Sequence, residues 1–208
     1  MTRFHLARHG ETLWHAEARY AGISDVALTP RGLGQAAALA GWVRRRREEG
    51  VRFDAVVSST LSRAILTARP AAVELGLEPL ADPRLVEVDF GRGEGMTRAE
   101  MEQVFPEDVA AFLARPASSP LPGGERGVDA VARARSALGE LVAAFPGGTV
   151  LVVAHSTLTR ILTASLIGAD LESYREILPS LGNCHLTSFE LDASGRAGLL
   201  GFNVPPSA

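Results

Sequence analysis

The sequence has few of the features that mark secreted, membrane-bound or nucleic-acid-binding proteins. A single cysteine, Cys184, cannot form an internal disulfide, and the first residues lack the long uncharged apolar segment of a signal peptide. No apolar run reaches the ~18 to 20 residues that a membrane span needs. The formal net charge of -3 argues against broad electrostatic binding to nucleic acid. We therefore expect a cytoplasmic protein that binds neither membranes nor nucleic acids.

The composition is that of an ordinary globular domain. Apolar residues make up 46% of the 208 residues and charged residues 22%, which excludes a disordered or fibrous protein. The length suits one compact core, so we predict a single domain over residues 1–208. A local basic pocket inside a mildly acidic protein suits a small anionic ligand better than a polymer. A homodimer is compatible with the sequence.

Short apolar segments alternate with amphipathic segments along the chain. The strand-like segments are residues 3–7, 53–59 and 149–155. Helical spacing of apolar residues begins at Pro30 and recurs over residues 61–76 and 127–145. Strands that alternate with helices predict an α/β fold with a largely parallel sheet.

Residues 83–125 interrupt this alternation. Stretches rich in glycine and proline surround one or two short helices there, which predicts an excursion over the edge of the sheet. Because such excursions often cover a ligand site, we expect the segment to be lid-like. The C-terminal region is predicted to form two strands joined by a turn at residues 193–195.

Chemically reactive side chains follow the three predicted strands. Arg8 and His9 end the first strand, Arg63 follows the second, and His155 and Ser156 follow the third. In an open α/β sheet, ligands collect at the carboxyl ends of the parallel strands, so these side chains should meet in one crevice. Two guanidiniums can hold the oxygens of a phosphoryl group and neutralise its charge. The pattern predicts a phosphate site.

The same positive charges act on the two histidines. Nearby positive charge disfavours imidazolium, so His9 and His155 should be neutral in the empty site. A neutral imidazole can attack phosphorus through one nitrogen while the other donates a hydrogen bond, which gives His9 the role of a nucleophile. The leaving oxygen then needs a proton from an acid. The candidate acids are Glu87, Asp89 and Glu94, among which sequence spacing does not choose.

Several segments resemble the histidine phosphatase superfamily, in the branch that includes cofactor-dependent phosphoglycerate mutases and many small phosphatases. The resemblance covers nearly the whole chain, and its motifs occur in the family's order. They are RHGET at 8–12, LTPRG at 28–32, SSTLSRAILTA at 58–68, LVEVDFGRGEG at 85–95 and VVAHSTLTRIL at 152–162. The resemblance implies a three-layer α/β/α fold with a mixed, largely parallel central sheet, like that of phosphoglycerate mutases.

Carried over residue by residue, the resemblance also implies catalytic roles. His9 would be the residue that is phosphorylated, and Glu87 would be the proton donor. Arg8, Arg63 and His155 would form the phosphate pocket.

The resemblance extends to the substrate side of the site. His15, Ala21 and Gly22 would line it, and the backbone N–H of Ser156 would donate to phosphate. Two of these positions depart from the family, which commonly has asparagine at residue 15 and glycine at residue 156. Histidine in place of asparagine at residue 15 could narrow the pocket or change its charge.

The leading functional prediction is a metal-independent phosphatase that hydrolyses small phosphomonoesters through a phosphohistidine. No metal or other cofactor is expected, because the sequence has no HExxH or paired-cysteine pattern. One alternative is a phosphoglycerate mutase, although mutases of this family have a longer and more basic insertion after the acid residue than this chain has. Another is a catalytically weak phosphate-binding regulatory protein, which the departures at residues 15 and 156 motivate.

Overall fold

A six-stranded mixed sheet forms the middle layer of the molecule. The computed structural model describes residues 1–207, so the last residue of the domain predicted over 1–208 lies outside the described residues. The strands are β1 (Thr2–Arg8), β2 (Ala55–Ser58), β3 (Leu80–Ala81), β4 (Thr149–Ala154), β5 (Leu186–Leu191) and β6 (Ala197–Val204). Their order across the sheet is β3-β2-β4-β1-β5-β6. The first four strands of this order are parallel, whereas β5 and β6 are antiparallel additions at one edge.

Helices cover both faces of the sheet. They are α1 (Pro30–Glu48), α2 (Ser62–Leu75), α3 (Arg98–Val104), α4 (Pro106–Ala114), α5 (Gly127–Ala144), α6 (Ser156–Leu166) and α7 (Tyr174–Ile177). Helix α1 begins where the sequence predicts, since Pro30 is its first residue and the Thr29 side chain accepts a hydrogen bond from the amide of Gly32. Within residues 1–207, no helix combines the length and apolar character that crossing a membrane requires.

The pattern of β4 explains the three layers. Its central residues are apolar and fully buried on both faces, as expected for a strand in the middle of a parallel sheet. Val150 and Val152 pack in a core with α5 and α6, whereas Leu151 and Val153 pack in a second core with α1 and α2. The predicted α/β architecture with a mixed, largely parallel sheet is confirmed.

The segment 83–125 joins the first of these cores. Its buried side chains include Phe90, Met101, Phe112 and Leu121, which pack in the same cluster as β1, β4 and α5. It contains α3, α4 and two short 3-10 turns, Pro83–Leu85 and Gly91–Gly93. Whether the segment works as a lid stays a prediction.

Candidate active site

The carboxyl ends of three neighbouring parallel strands meet at one cleft. Arg8 ends β1, His155 follows β4, and Arg63 lies in the first turn of α2, directly after β2. These strands are adjacent in the sheet, so side chains from distant parts of the chain converge. The cleft has a volume of about 270 Å³. The sequence-predicted residues that line it are Arg8, His9, His15, Ala21, Gly22, Arg63, Glu87 and Ser156.

A backbone carbonyl oxygen fixes the tautomer of His9. Its side chain is buried, and Nδ1 lies 2.7 Å from the carbonyl oxygen of Gly10. A carbonyl oxygen can only accept, so Nδ1 carries the proton and donates it. Burial, and then the charges of Arg8 and Arg63, lower the pKa of His9 well below its usual value. The ring is therefore neutral near pH 7, and Nε2 carries the lone pair that can attack.

Carbonyl oxygens hold the two predicted arginines in place. Arg63 is only 1% exposed and donates to the carbonyl oxygens of Gly22 and Ser24, each at 2.6 Å. Arg8 donates to the carbonyl oxygen of Leu181, also at 2.6 Å. Carbonyl oxygens carry only a partial negative charge, so they orient a guanidinium without neutralising it.

The charge of these guanidiniums is left without a carboxylate partner among the described residues. The Nε atoms of Arg8 and Arg63 are buried and have no hydrogen-bond partner within residues 1–207. Burial lowers the pKa of Arg8 to about 10 and also lowers that of Arg63. Buried charge without a partner is costly, and an unsatisfied buried donor calls for an explanation. An anion bound beside His9 would supply the missing negative charge.

His155 adjoins His9 inside the site. It is fully buried, and the two ring centroids lie 5.2 Å apart. Its Nε2 lies 2.8 Å from the hydroxyl oxygen of Ser59, and its Nδ1 is buried without a partner among the described residues. Burial, followed by repulsion from a protonated His9 and from Arg63, lowers the pKa of His155 well below its usual value. A neutral imidazole thus presents one unpartnered nitrogen inside the site.

Glu87 lies against the N-terminus of α6. Its Oε2 accepts from the amide of Thr157 at 2.9 Å, and its Oε1 accepts from the amide of Leu158 at 2.8 Å. The first N–H groups of a helix have no partner within the helix, so they form a ready anion site. The side chain is 7% exposed and lines the cleft. The structure therefore brings this carboxyl into the same cleft as His9.

The other two candidate carboxyls hold loops in place. Glu94 accepts from the amides of Ile23 and Ser24, each at 2.7 Å. Asp89 accepts from the amide of Gly91 at 2.7 Å, and burial raises the pKa of Asp89. Glu94 thereby fixes the loop whose carbonyl oxygens orient the second arginine. Of the three candidates, Glu87 is the one in the cleft lining.

His15 contacts the guanidinium of Arg8. Its Nε2 lies 2.5 Å from a terminal nitrogen of Arg8, and its Nδ1 lies 2.8 Å from the hydroxyl oxygen of Thr12. Burial, and then the charge of Arg8, lower the pKa of His15 to about 4. The backbone amide of Thr12 also donates to Nδ1 at 3.0 Å, so Thr12 holds the ring against Arg8. His15 thus orients a guanidinium besides lining the cleft.

Sequence reasoning missed several residues around this group. The Asn183 side chain donates to the carbonyl oxygen of His9 at 3.0 Å, although the two residues are 174 positions apart. Trp14, Tyr20 and Phe90 form an aromatic wall of the cleft, with the last two rings edge to face at 4.9 Å. Phe90 lies within the motif at 85–95, whereas Trp14 and Tyr20 lie between motifs and no local pattern indicates Asn183.

Comparison with known families agrees with the geometry of the cleft. The family described as "Histidine phosphatase superfamily (branch 1)" matches residues 4–203. The chain is 35% identical over 199 residues to "Bifunctional protein Rv2228c" of Mycobacterium tuberculosis, which covers 96% of this chain and 53% of the relative. It thus spans about half the length of that relative.

Other relatives match over most of their own length. "Phosphoserine phosphatase 1" of Hydrogenobacter thermophilus is 32% identical over 84% of this chain and 80% of its own. A "2,3-bisphosphoglycerate-dependent phosphoglycerate mutase" of Methylobacterium sp. is 35% identical over 81% and 82% of the two chains. Among solved structures, a mycobacterial glucosyl-3-phosphoglycerate phosphatase in complex with VO3 superposes with a TM-score of 0.86 at 30% identity, covering 97% of this chain and 99% of that one.

Proposed function

The chain belongs to the histidine phosphatase superfamily, and we propose that it is a metal-independent phosphatase that hydrolyses small phosphomonoesters through a phosphohistidine at His9. The observation that carries this proposal is the hydrogen bond from Nδ1 of His9 to the carbonyl oxygen of Gly10. This bond leaves the Nε2 lone pair beside two buried guanidiniums that have no carboxylate partner within residues 1–207. The resemblance of the chain to named phosphatases supports the same reaction class.

In the first half-reaction, Nε2 of His9 attacks phosphorus and the bond from phosphorus to the leaving oxygen breaks. Arg8 and Arg63 line the cleft and hold the non-bridging oxygens through their guanidinium groups, and the unpartnered nitrogen of His155 adds a further contact. Glu87 enters this step as a neutral carboxylic acid and gives its proton to the leaving oxygen, so an alcohol departs and the carboxylate that remains accepts from the two amides of α6. The products of this step are the free alcohol and a phosphohistidine.

In the second half-reaction, Glu87 takes a proton from water while the water oxygen attacks phosphorus. The bond between Nε2 and phosphorus breaks, inorganic phosphate is released, and His9 returns to its neutral form. The proton that Glu87 gains restores it for the next turnover. Charge neutralisation by the two guanidiniums serves both half-reactions, since the phosphoryl oxygens stay in the same pocket.

The proposal is tested by replacement of the nucleophile. His9→Ala removes the atom that bonds to phosphorus, so we expect kcat to fall by at least about 10³-fold. A rapid quench with a radiolabelled phosphomonoester should trap an acid-labile, base-stable label on the parent protein and none on His9→Ala. His185→Gln is the control, because His185 bonds Asn203 and does not line the cleft. Turnover in His9→Ala equal to that of the parent would reject the proposal.

Selectivity for the leaving group belongs, in this proposal, to residues 13–25 and to the lid-like segment 83–125. Trp14 and Tyr20 come from the first and Phe90 from the second, and all three line the cleft. A phosphate-release screen over sugar phosphates, phosphoglycerates, nucleotides and phosphoserine, run with and without a chelator, tests substrate class and metal dependence together. Release of phosphate from at least one monoester in the presence of chelator is the expected result.

A phosphoglycerate mutase is the second candidate, favoured by the 35% identity to a named mutase. A mutase must keep the phosphoenzyme from water and return the phosphoryl group to a second hydroxyl. A coupled assay with a phosphoglycerate distinguishes the two reactions. Isomerisation that is faster than release of inorganic phosphate would favour the mutase, whereas the phosphatase proposal expects the reverse order.

A further inference from the structure

One arginine outside the cleft binds the backbone just before Glu87. Arg133 of α5 donates from one terminal nitrogen to the carbonyl oxygens of Arg84 and Val86, each at 2.7 Å. Its other terminal nitrogen donates to the carbonyl oxygen of Glu87 at 3.0 Å. A single guanidinium therefore holds three carbonyl groups of a segment that is not part of the sheet.

Glu125 completes this arrangement. Both of its carboxylate oxygens accept from Arg133, each at 2.8 Å, which is the bidentate geometry that a planar guanidinium allows. The backbone amide of Glu125 donates to the carbonyl oxygen of Asp89 at 2.9 Å. The two side chains are 19% and 22% exposed, so solvent screens the pair only in part. The Arg133–Glu125 pair thus fixes the chain on both sides of Glu87.

The need for such a pair follows from how Glu87 is held. Its carboxyl reaches the cleft from a stretch between two short 3-10 turns, where no strand neighbour fixes the backbone. A proton donor must lie within hydrogen-bond reach of the leaving oxygen, and a displacement of about 1 Å can cost about 10²-fold in rate. Backbone position in this stretch therefore decides whether the acid can act.

We propose that Arg133, locked by Glu125, is a positioning residue that sets the place of Glu87 for proton transfer to the leaving group. This inference rests on the proposed phosphatase reaction. Lysine cannot replace Arg133, because an ammonium group lacks the planar fork that reaches three carbonyl oxygens and a carboxylate at once. Neither Arg133 nor Glu125 lines the cleft, so we expect the phosphate pocket to stay intact without the pair.

The test uses phosphomonoesters whose leaving groups differ in basicity. A basic alkoxide needs the proton from Glu87 as it departs, whereas a nitrophenolate leaves without help. We expect kcat/KM of Arg133→Lys to fall by about 10²-fold for alkyl phosphates and by less than about threefold for p-nitrophenyl phosphate. We choose kcat/KM because it reports only the steps up to release of the alcohol, before water attacks the phosphohistidine. Glu125→Gln should also lower kcat/KM more for alkyl phosphates than for p-nitrophenyl phosphate, but by a smaller factor than Arg133→Lys.

Glu140→Gln is the matched control. Glu140 also joins α5 to the segment before Glu87, through the exposed side chain of Arg84, but it binds none of the three carbonyl oxygens. We expect this variant to keep the leaving-group dependence of the parent. Circular dichroism melting of all three variants checks that each is folded before the rates are compared.

The outcomes separate this inference from the reaction on which it rests. An equal loss for all leaving groups in Arg133→Lys and Glu125→Gln would show a general structural role and overturn the inference, as would no loss in either variant. Glu87→Gln is the reference variant. It lacks the proton donor, so it should show the largest difference in kcat/KM between alkyl phosphates and p-nitrophenyl phosphate. Failure of His9→Ala to lose activity would instead overturn the phosphatase mechanism itself.

Discussion

At Gly10, the lack of a side chain decides where the neighbouring His9 lies. A Cβ atom there would sit 2.5 Å from the carbonyl oxygen of Gly32, near the start of α1. The Gly10 amide donates to the hydroxyl of Thr67 at 3.0 Å, and its carbonyl oxygen accepts from His9. The glycine therefore lets the backbone after β1 touch the first turn of α1, while its carbonyl oxygen fixes the tautomer of His9.

Gly10→Ala should accordingly impair chemistry more than folding. The methyl group must push the Gly10 peptide away from Gly32, which moves the acceptor of the Nδ1 proton, so we expect kcat to fall by about 10²-fold. Gly34→Ala is the control, because a Cβ atom at that helical position meets open space and should raise helix stability slightly. Steady-state kinetics of both variants on one monoester give the comparison. Equal activity in the two would mean that the close approach at Gly10 has no part in catalysis.

Among the secondary structure elements, those with long periodic patterns are the ones that the sequence predicts. The helix predicted from Pro30 and the strand predicted at 149–155 are observed with nearly the same limits, because each has a continuous apolar pattern. Strand β3 escaped prediction because it has only two residues, Leu80 and Ala81, and depends on pairing with β2. Two residues are too few to show the alternation of apolar and polar side chains that indicates a strand.

The same contrast holds for the candidate site. Strand ends predict that Arg8, Arg63 and His155 converge, since parallel strands place their carboxyl ends at one edge. The choice of Glu87 over its neighbours came from family resemblance, and its contact with the start of α6 depends on packing between distant segments. The contacts of Arg133 with the three carbonyl oxygens join residues 46 to 49 positions apart, which no local pattern encodes.

The contact between α5 and α6 gives a prediction at the level of elements. A Cβ atom on Gly127, the first residue of α5, would lie 2.5 Å from Cδ1 of Ile161 in α6 and 3.0 Å from Cα of Ala117. Gly127→Ala should therefore overpack this junction and lower the free energy of unfolding by about 1 to 3 kcal/mol in urea denaturation. Gly139→Ala lies in the same helix, where a Cβ atom meets open space, and should be neutral or stabilising by up to about 1 kcal/mol. Equal stability of the two variants would contradict close packing at Gly127.

Over the whole molecule, paired and unpaired charges occupy different places. Surface arginines form ion pairs such as Arg98 with Glu102 and Arg126 with Asp129, which contribute little to stability because both partners are exposed. The buried arginines of the cleft have no such carboxylate partner within residues 1–207. A chain with a net charge of -3 thus concentrates unneutralised positive charge at one place, which favours entry of a small anion.

Burial of histidines gives the molecule a predictable sensitivity to acid. His5 is 7% exposed, packs edge-on against Trp42 and lies 2.7 Å through Nδ1 from the hydroxyl oxygen of Ser188. Burial, and then the charges of Arg3 and Arg46, lower the pKa of His5 from 6.5 to about 4. The pKa values of His9, His15 and His155 are lowered as well.

The sign of the effect follows from proton linkage. Between about pH 6.5 and about pH 4, the unfolded chain binds a proton at His5 that the folded protein excludes, so the free energy of unfolding falls as the pH falls. One such group changes stability by up to about 1.4 kcal/mol per pH unit in this window. His5→Phe removes the proton site and keeps an aromatic ring against Trp42, so its urea-denaturation stability should depend less steeply on pH than that of the parent. If both proteins lose stability with the same slope, the acid sensitivity comes from the cleft histidines, and inorganic phosphate bound there should then shift the pH dependence.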